Sequence, residues 1–402
     1  MSYLEQSTRY ISYDTRLGGR YRYYRDPEVM ASPLGLRYVG DLDRLFDAYA
    51  DLAPKMQEFF RDQTPKDPSD SDFIYRQAIK AKAFDTVRGI LPAASLSNVG
   101  IYGSGQGYEA LLLRMRAHPL PEARDYAALM LAELRKVIPS FIKRVDLPDR
   151  GAAWSEYFTS RREAMEDIVD ELFPAAAIES DGADVRLIDH DPDGEIKMVA
   201  AMLYPFVHLP EHRIEEKVRA MSVDQRVAVV QAYVGDRSNR RHKPGRAFER
   251  PFYRFDVVSD YGAFRDLQRH RMMTIEWQSL TPYHGYTRPT AIDAAGLTEE
   301  FDDAMARSSG LYDLLVEEYP DQAPYGVSLA YRLRYVMQMN AREAMHLIES
   351  SLSEGAEDRR LNALDKSLKV MLDETYERML HYAHNLKGPI TTLHMLGIIL
   401  PI

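Results

Sequence analysis

The sequence predicts an α+β fold rich in helices. Most of the chain places apolar residues at helical spacing, while a few short stretches alternate like strands. The two kinds of element do not follow each other in regular βαβ order, which disfavours a doubly wound sheet. With 402 residues the chain has room for two ordinary domains and a substantial core.

Residues 1–40, rich in Tyr, Arg and Gly, read as strand and loop. Gly40-Asp41 opens a helix with an apolar stripe at Leu42, Leu45, Phe46, Tyr49 and Leu52. A polar break at 67–72 contains Pro68, and helical patterning resumes from Phe73 to about Ile90, where Leu91-Pro92 interrupts it. A helix follows from about Tyr108 to Ala117, a long amphipathic one from the turn at Pro119–Pro121 to about Ile142, and a charged one over 151–172. Asp184 to Ile188 alternates like a strand. A helix from Gly194 to Tyr204 and short helices to about Tyr233 come next, then a basic loop over 235–247. Phe252 to Val258 reads as a strand, Tyr261 to His270 as a short helix, and Met273 to Trp277 as a strand. Further helices are expected at 298–318, 340–350 and 359–385.

Composition excludes several functions. The formal charge of −10 leaves no broad basic field for nucleic acid or an anionic membrane, although local clusters can hold a small phosphorylated ligand. No cysteine is present, so disulfides, thiolate metal sites and cysteine nucleophiles are ruled out. The 11 histidines are scattered, and no metal site is expected. Without a long apolar run or a signal-like start, the chain reads as cytoplasmic.

Arg269-His270-Arg271, followed after seven residues by Ser279, is the motif with most chemistry. Two permanent cations and an imidazole side by side suit a phosphate or carboxylate ligand. The plainer alternative is a helix end whose basic residues answer the dipole. The chain also repeats weakly. Leu91-Pro92 and Ser95-Leu96 precede the helix with Leu113-Arg114; Ala323-Pro324 and Ser328-Leu329 precede Asn340-Ala341-Arg342 and its helix.

With its preceding aromatic strand and these following features, the triplet pattern resembles the flavin-dependent thymidylate synthases, the ThyX family. Residues 184–402 resemble one whole unit of that family. Residues 1–150 resemble the later part of a second, beginning inside the signature at Glu5-Gln6-Ser7-Thr8-Arg9-Tyr10 and continuing through Arg88-Gly89-Ile90-Leu91-Pro92, Leu113-Arg114, His118 and Glu122-Ala123-Arg124. Residues 151–183 read as a helical linker. The start inside a signature leaves open whether an N-terminal segment is missing. The resemblance implies two tandem α/β units forming a pseudo-dimer with small, mostly antiparallel sheets, and a homodimer that mimics the family's tetramer.

It also implies ligands. Ser7, Arg9, Arg88 and Arg114 would hold the phosphate and pyrimidine of a uridylate, with Asp266 and Arg269 near the pyrimidine. Glu5, Arg269, His270, Arg271, Asn340 and His346 would serve the flavin, Arg269 being shared and polarising both. Each arginine can instead be a surface ion pair, and Asn340 can be a helix cap. The implied reaction is reductive C5 methylation of dUMP or a related uridylate, with FAD as cofactor and methylenetetrahydrofolate and NADPH as co-substrates; no protein nucleophile is needed. By resemblance, each half has lost what the other keeps. The second half has Thr281-Pro282 for the family's Arg-Tyr, no Arg ahead of Pro324, and Ser351 near the later Leu-Arg. The first half has no triplet, and Gly103-Ser104-Gly105-Gln106-Gly107 replaces Asn-x-Arg. Asp266 for Gln, Glu276-Trp277 for Asn-Glu and Arg250 for His leave two alternatives open: a non-catalytic nucleotide- or flavin-binding paralogue, or a flavoenzyme for another pyrimidine nucleotide.

Overall fold

The computed structural model describes residues 1–6, 8, 11–68, 71–173, 184–236, 241–268 and 270–353, the last stretch as backbone alone from residue 348. The expected helix at 359–385 lies outside them. In order, the elements are β1 (Ser2–Glu5), α1 (Pro27–Ala31), α2 (Gly35–Gln63), α3 (Asp72–Val87), β2 (Val99–Tyr102), α4 (Gly105–Arg116), α5 (Pro121–Val137), α6 (Pro139–Ile142) and α7 (Ala153–Leu172). Then come β3 (Val185–His190), α8 (Gly194–Leu203), α9 (Glu211–Arg219), α10 (Val223–Val234), β4 (Phe252–Asp260), α11 (Tyr261–Leu267), β5 (Met273–Trp277), α12 (Thr290–Ala294), α13 (Thr298–Val316), β6 (Arg332–Asn340) and α14 (Ala341–Ser353). The α+β class holds, with two small antiparallel sheets, β1-β2 and β3-β4-β6-β5.

Several expectations are corrected, beginning with residues 1–40, expected as strand and loop, which contain the short helix α1. The first long helix begins at Gly35 rather than Gly40. The long helix after Pro121 ends at Val137, because Pro139 offers no N–H to continue it. The strand β6 was not expected, yet it is an inner strand of the larger sheet. Its signal was present: Leu333, Tyr335, Met337 and Met339 alternate with more exposed residues and are all buried.

The described chain forms two compact units. The first comprises Met1–Met56, Ala83–Glu179 and Leu297–Leu329; the second comprises Gln57–Lys82, Ser180–Gly296 and Ala330–Ile402. In the first unit, the stripe Leu42, Leu45, Phe46, Tyr49 and Leu52 of α2 is fully buried against Tyr13, Tyr21, Tyr23 and Phe84. The tyrosine hydroxyls stay bonded: Tyr23 to Asp43 at 2.8 Å, Tyr21 to Asp47 at 2.6 Å, Tyr38 to the Tyr24 carbonyl at 2.8 Å. A second cluster, Leu112, Leu113, Ala127, Leu131, Ile142 and Val145, joins α4, α5 and α6. In the second unit, the alternate residues of β4 and β6 pack with Met198, Val199, Met202, Ile214 and Val218 of α8 and α9.

The repeat is visible in the backbone. In the first unit, Pro92 stands opposite Ser328, with Ala93 N donating to Val327 O at 2.8 Å and Leu329 N to Leu91 O at 2.9 Å. The offset in residue number that relates Pro92 to Ser328 also relates Ser95, bridged to Tyr23, to Tyr331, bridged to Tyr286. It relates Ala94 to Ala330 and Leu96 to Arg332, and these keep matching backbone partners: Tyr24 N donates to Ala94 O as Thr287 N does to Ala330 O, and Leu96 N donates to Arg22 O as Arg332 N does to Gly285 O. It carries α4 onto α14 and Asn98 onto Arg334, whose carbonyls accept from Gln6 N and Gln278 N respectively. The counterpart of Leu91-Pro92 is therefore Val327-Ser328, not Ala323-Pro324 as residue identity suggested. Ser328 is buried and tied on both sides: its Oγ donates to Ile90 O at 2.8 Å and its N–H donates to Ser308 Oγ at 2.9 Å.

Beside this crossing, Tyr325 Oη donates to Glu122 Oε2 at 2.6 Å. Burial pushes the Glu122 carboxyl above its ordinary range, the Tyr325 hydrogen bond opposes this, and Asp26 adds to the rise. A carboxyl raised in the folded state favours the protonated form there, so it weakens the fold as pH rises through the unfolded value of 4.5. Tyr325→Phe removes the opposing bond. It is expected to destabilise by about 1–3 kcal/mol at pH 7, and by less at pH 4, in urea titrations at the two pH values. Equal losses at both would show that Glu122 is not ionised beside Tyr325.

Candidate functional site

In the second unit, three chain segments meet at one end of the sheet. Phe252 at the start of β4 and Met273 at the start of β5 flank Asn340 and Met339 at the end of β6. Helix α11 is capped by Asp260, whose Oδ1 accepts from Ala263 N at 2.9 Å, and ends at Leu267. The expected continuation to His270 does not form; His270 N instead donates to Leu267 O at 3.1 Å and closes a turn. Asp266 is half-buried in the last turn of α11. Arg269 lies outside the described residues.

His270 Nδ1 sits 3.1 Å from Glu343 Oε1, on a carboxylate side chain only 7% exposed. Its ring meets the His346 ring nearly edge-on at 5.6 Å. Glu343 and His346, three residues apart on α14, share a helix face, so one helix braces the imidazole from two sides. Asn340 Oδ1 accepts from Glu343 N at 2.9 Å and caps α14. Arg342 donates from Nε to Pro244 O at 3.1 Å and from Nη1 to Glu249 Oε1 at 2.6 Å. Arg246 bonds the same carboxylate, and Arg246 first and Arg342 second hold Glu249 below the usual carboxylate range. Arg271 is exposed and forms no ion pair among the described residues; Ser279 is also exposed.

In the first unit, Glu5 is exposed at the end of β1, opposite Val99. Gln6 is tied through its backbone and side chain to Ser97 and Asn98. This fixes the chain just before Ser7 and Arg9, which lie outside the described residues. Arg88 is largely buried, its Nε 3.0 Å from Asp85 Oδ1. That leaves the other edge of the guanidinium fork for a ligand. Arg114 is exposed on the last turn of α4. His118 and Arg124 hold the turn between α4 and α5: His118 Nδ1 accepts from Leu120 N at 3.1 Å, and Arg124 donates to the His118 carbonyl at 2.8 Å. Burial first, and then Arg162, lower the His118 pKa.

The internal correspondence shows what each half keeps. The cap survives: Ser104 Oγ accepts from Gly107 N at 3.2 Å where Asn340 accepts from Glu343 N. The ligands differ. Arg88 has Pro324 as its counterpart, Arg114 has Ser350 rather than Ser351, and Glu5 has Trp277, whose ring packs edge-on to Phe264 at 5.5 Å. Glu343 has Gly107. Sequence reasoning missed Glu343; its only signal was Asn-x-x-Glu, which reads as a helix start. No group of three or more His, Asp or Glu suited to a metal ion occurs among the described residues, nor any helix long and apolar enough to cross a membrane.

The sequence profile of the thymidylate synthase complementing protein family matches residues 1–140 and 186–362. The chain belongs to that family. Family relatives include a UPF0159 protein of Chlamydia pneumoniae, 35% identical over 86% of this chain and 65% of its own length. Another is a UPF0159 protein of Thermoplasma acidophilum, 32% identical over 87% of this chain and 73% of its own. The chain thus spans about two thirds to three quarters of these relatives. Among solved structures, the UMP/dUMP methylase PolB of Streptomyces cacaoi bound with 5-Br dUMP is similar at 16% identity and TM-score 0.32, over 41% of this chain and 76% of that one. Thymidylate synthase X of Helicobacter pylori with FAD and dUMP is similar at 16% identity and TM-score 0.31, over 46% and 91%.

Asn340→Ala should cost about 1 kcal/mol of stability, and Asn340→Ser almost nothing, because serine caps as well. Thermal melting of both variants decides it; equal losses would mean that the cap is not what the side chain supplies.

Proposed function

We propose that this family member is a flavin-dependent thymidylate synthase-type enzyme that methylates C5 of dUMP or a closely related uridylate. The carrying observation is His270, held at 3.1 Å by a buried carboxylate and flanked by His346 at the Asn340-capped start of α14. A braced imidazole beside an exposed guanidinium suits a polar ring that carries a pyrophosphate.

The residues fit FAD. Arg271 supplies a cation without a described ion-pair partner, and His270 a ring of fixed orientation. Asn340 commits its Oδ1 to the cap, so its amide NH₂ is the group left for a flavin carbonyl. When bound, the flavin carries the electrons and the one-carbon unit, with NADPH and methylenetetrahydrofolate as co-substrates. The protein binds and orients. Arg88 and Arg114, with Ser7 and Arg9, grip the uridylate phosphate; Arg269 polarises the pyrimidine beside Asp266; and Glu5 contributes a carboxylate on the flavin side. In this reading the halves 1–150 and 184–402, joined by 151–183, divide the ligands of one reaction, and the chain forms a homodimer.

The tests are direct. The purified protein should be yellow, release FAD on denaturation, and liberate tritium from 5-tritiated dUMP in the presence of methylenetetrahydrofolate and NADPH. Protein that neither carries nor takes up FAD sinks the reading. Arg88→Ala should weaken dUMP binding by about 1.5–3 kcal/mol, the range for a hydrogen bond to a charged group, in calorimetric titration; unchanged affinity would remove Arg88 from the phosphate site.

A further inference from the structure

A glutamate three residues after a helix cap ordinarily reaches back to the cap's own N–H. Glu343 does not. Its backbone N–H is taken by Asn340 Oδ1, and its carboxylate turns to His270 Nδ1 at 3.1 Å. A side chain only 7% exposed needs such a partner, because an unpaired buried carboxylate is costly. The corresponding position on α4 is Gly107, where the same type of cap survives without any carboxylate. The cap therefore does not require Glu343, and the half that carries the Arg-His-Arg triplet is the half that has it.

We propose that Glu343 is the positioning residue of the Arg-His-Arg loop, holding His270 as the Nδ1–H tautomer so that Nε2 faces the ligand as a hydrogen-bond acceptor. An ionised carboxylate only accepts, so the proton between the two groups belongs on Nδ1, and the neutral ring then has its lone pair on Nε2. Packing of the ring against His346 at 5.6 Å limits its rotation. The chemical class recognised is a ligand N–H or O–H donor. This rests on reading the loop as the flavin side of the site, where an imide N–H or a ribityl hydroxyl meets the description. Glu343 acts through His270 and through the loop that carries Arg271, not on the ligand itself.

The test uses the full chain with ring-¹⁵N-labelled histidine, the His270 signals being identified by their loss in His270→Gln. Wild-type protein at pH 8 should show His270 protonated at Nδ1 and bare at Nε2. The isosteric Glu343→Gln offers both a donor and an acceptor and so fits either tautomer. It should populate the Nε2–H form and weaken FAD binding about tenfold by flavin fluorescence titration. A purely structural glutamate would change the melting temperature without moving the tautomer. Wild-type protein already in the Nε2–H form, or ring signals unchanged in Glu343→Gln, overturns the proposal. If the tautomer shifts as expected in protein that binds no FAD, the positioning role stands and the flavin reading fails.

Discussion

The first unit is tied together by one small reciprocal contact, in which Ala93 donates to Val327 and Leu329 donates to Leu91. Each bond is an ordinary backbone hydrogen bond, modest in net worth. Their importance is positional. They bring together two segments far apart in sequence, and the buried Ser328 and Ser308 hydroxyls are both hydrogen-bonded there. Each unit then carries the same succession of bridge, strand and capped helix.

Much of this was legible in the sequence, for identifiable reasons. The stripe from Leu42 to Leu52 and the strands β4 and β5 were read from side-chain period alone, and each is where it was expected. β6 carries the same kind of signal, in the buried alternation of Leu333, Tyr335, Met337 and Met339 just ahead of Asn340. Helix ends were less legible. The helix before the triplet stops at Leu267, because its last turn is settled by the backbone bond from His270, which no periodicity encodes. Residue identity also misaligned the repeat: Pro324 was matched with Pro92 as a proline, whereas hydrogen-bond partners place Ser328 there.

The candidate site was legible as a set of residue types but not as a set of partnerships. His270, Asn340 and His346 were named from resemblance, and the fold brings them to one sheet end. That Asn340 spends its carbonyl oxygen on a cap, and that Arg342 spends its guanidinium on Glu249 and Pro244, could not be read from spacing. Such commitments narrow what each group can offer a ligand. Arg88, expected on the nucleotide side from the resemblance, already carries one carboxylate partner in Asp85.

Where Pro92 faces Ser328, the two positions occupy the same place in each half yet are no longer the same residue. Proline has no N–H to give and serine has both an N–H and a hydroxyl, so only one side of the crossing can bond to Ser308 and Ile90. Two separate identical subunits could not maintain that difference, because one gene would have to encode both residues at once. Joined in a single chain, the halves are free to drift apart one position at a time. Which half carries which residue is written into the order of the chain.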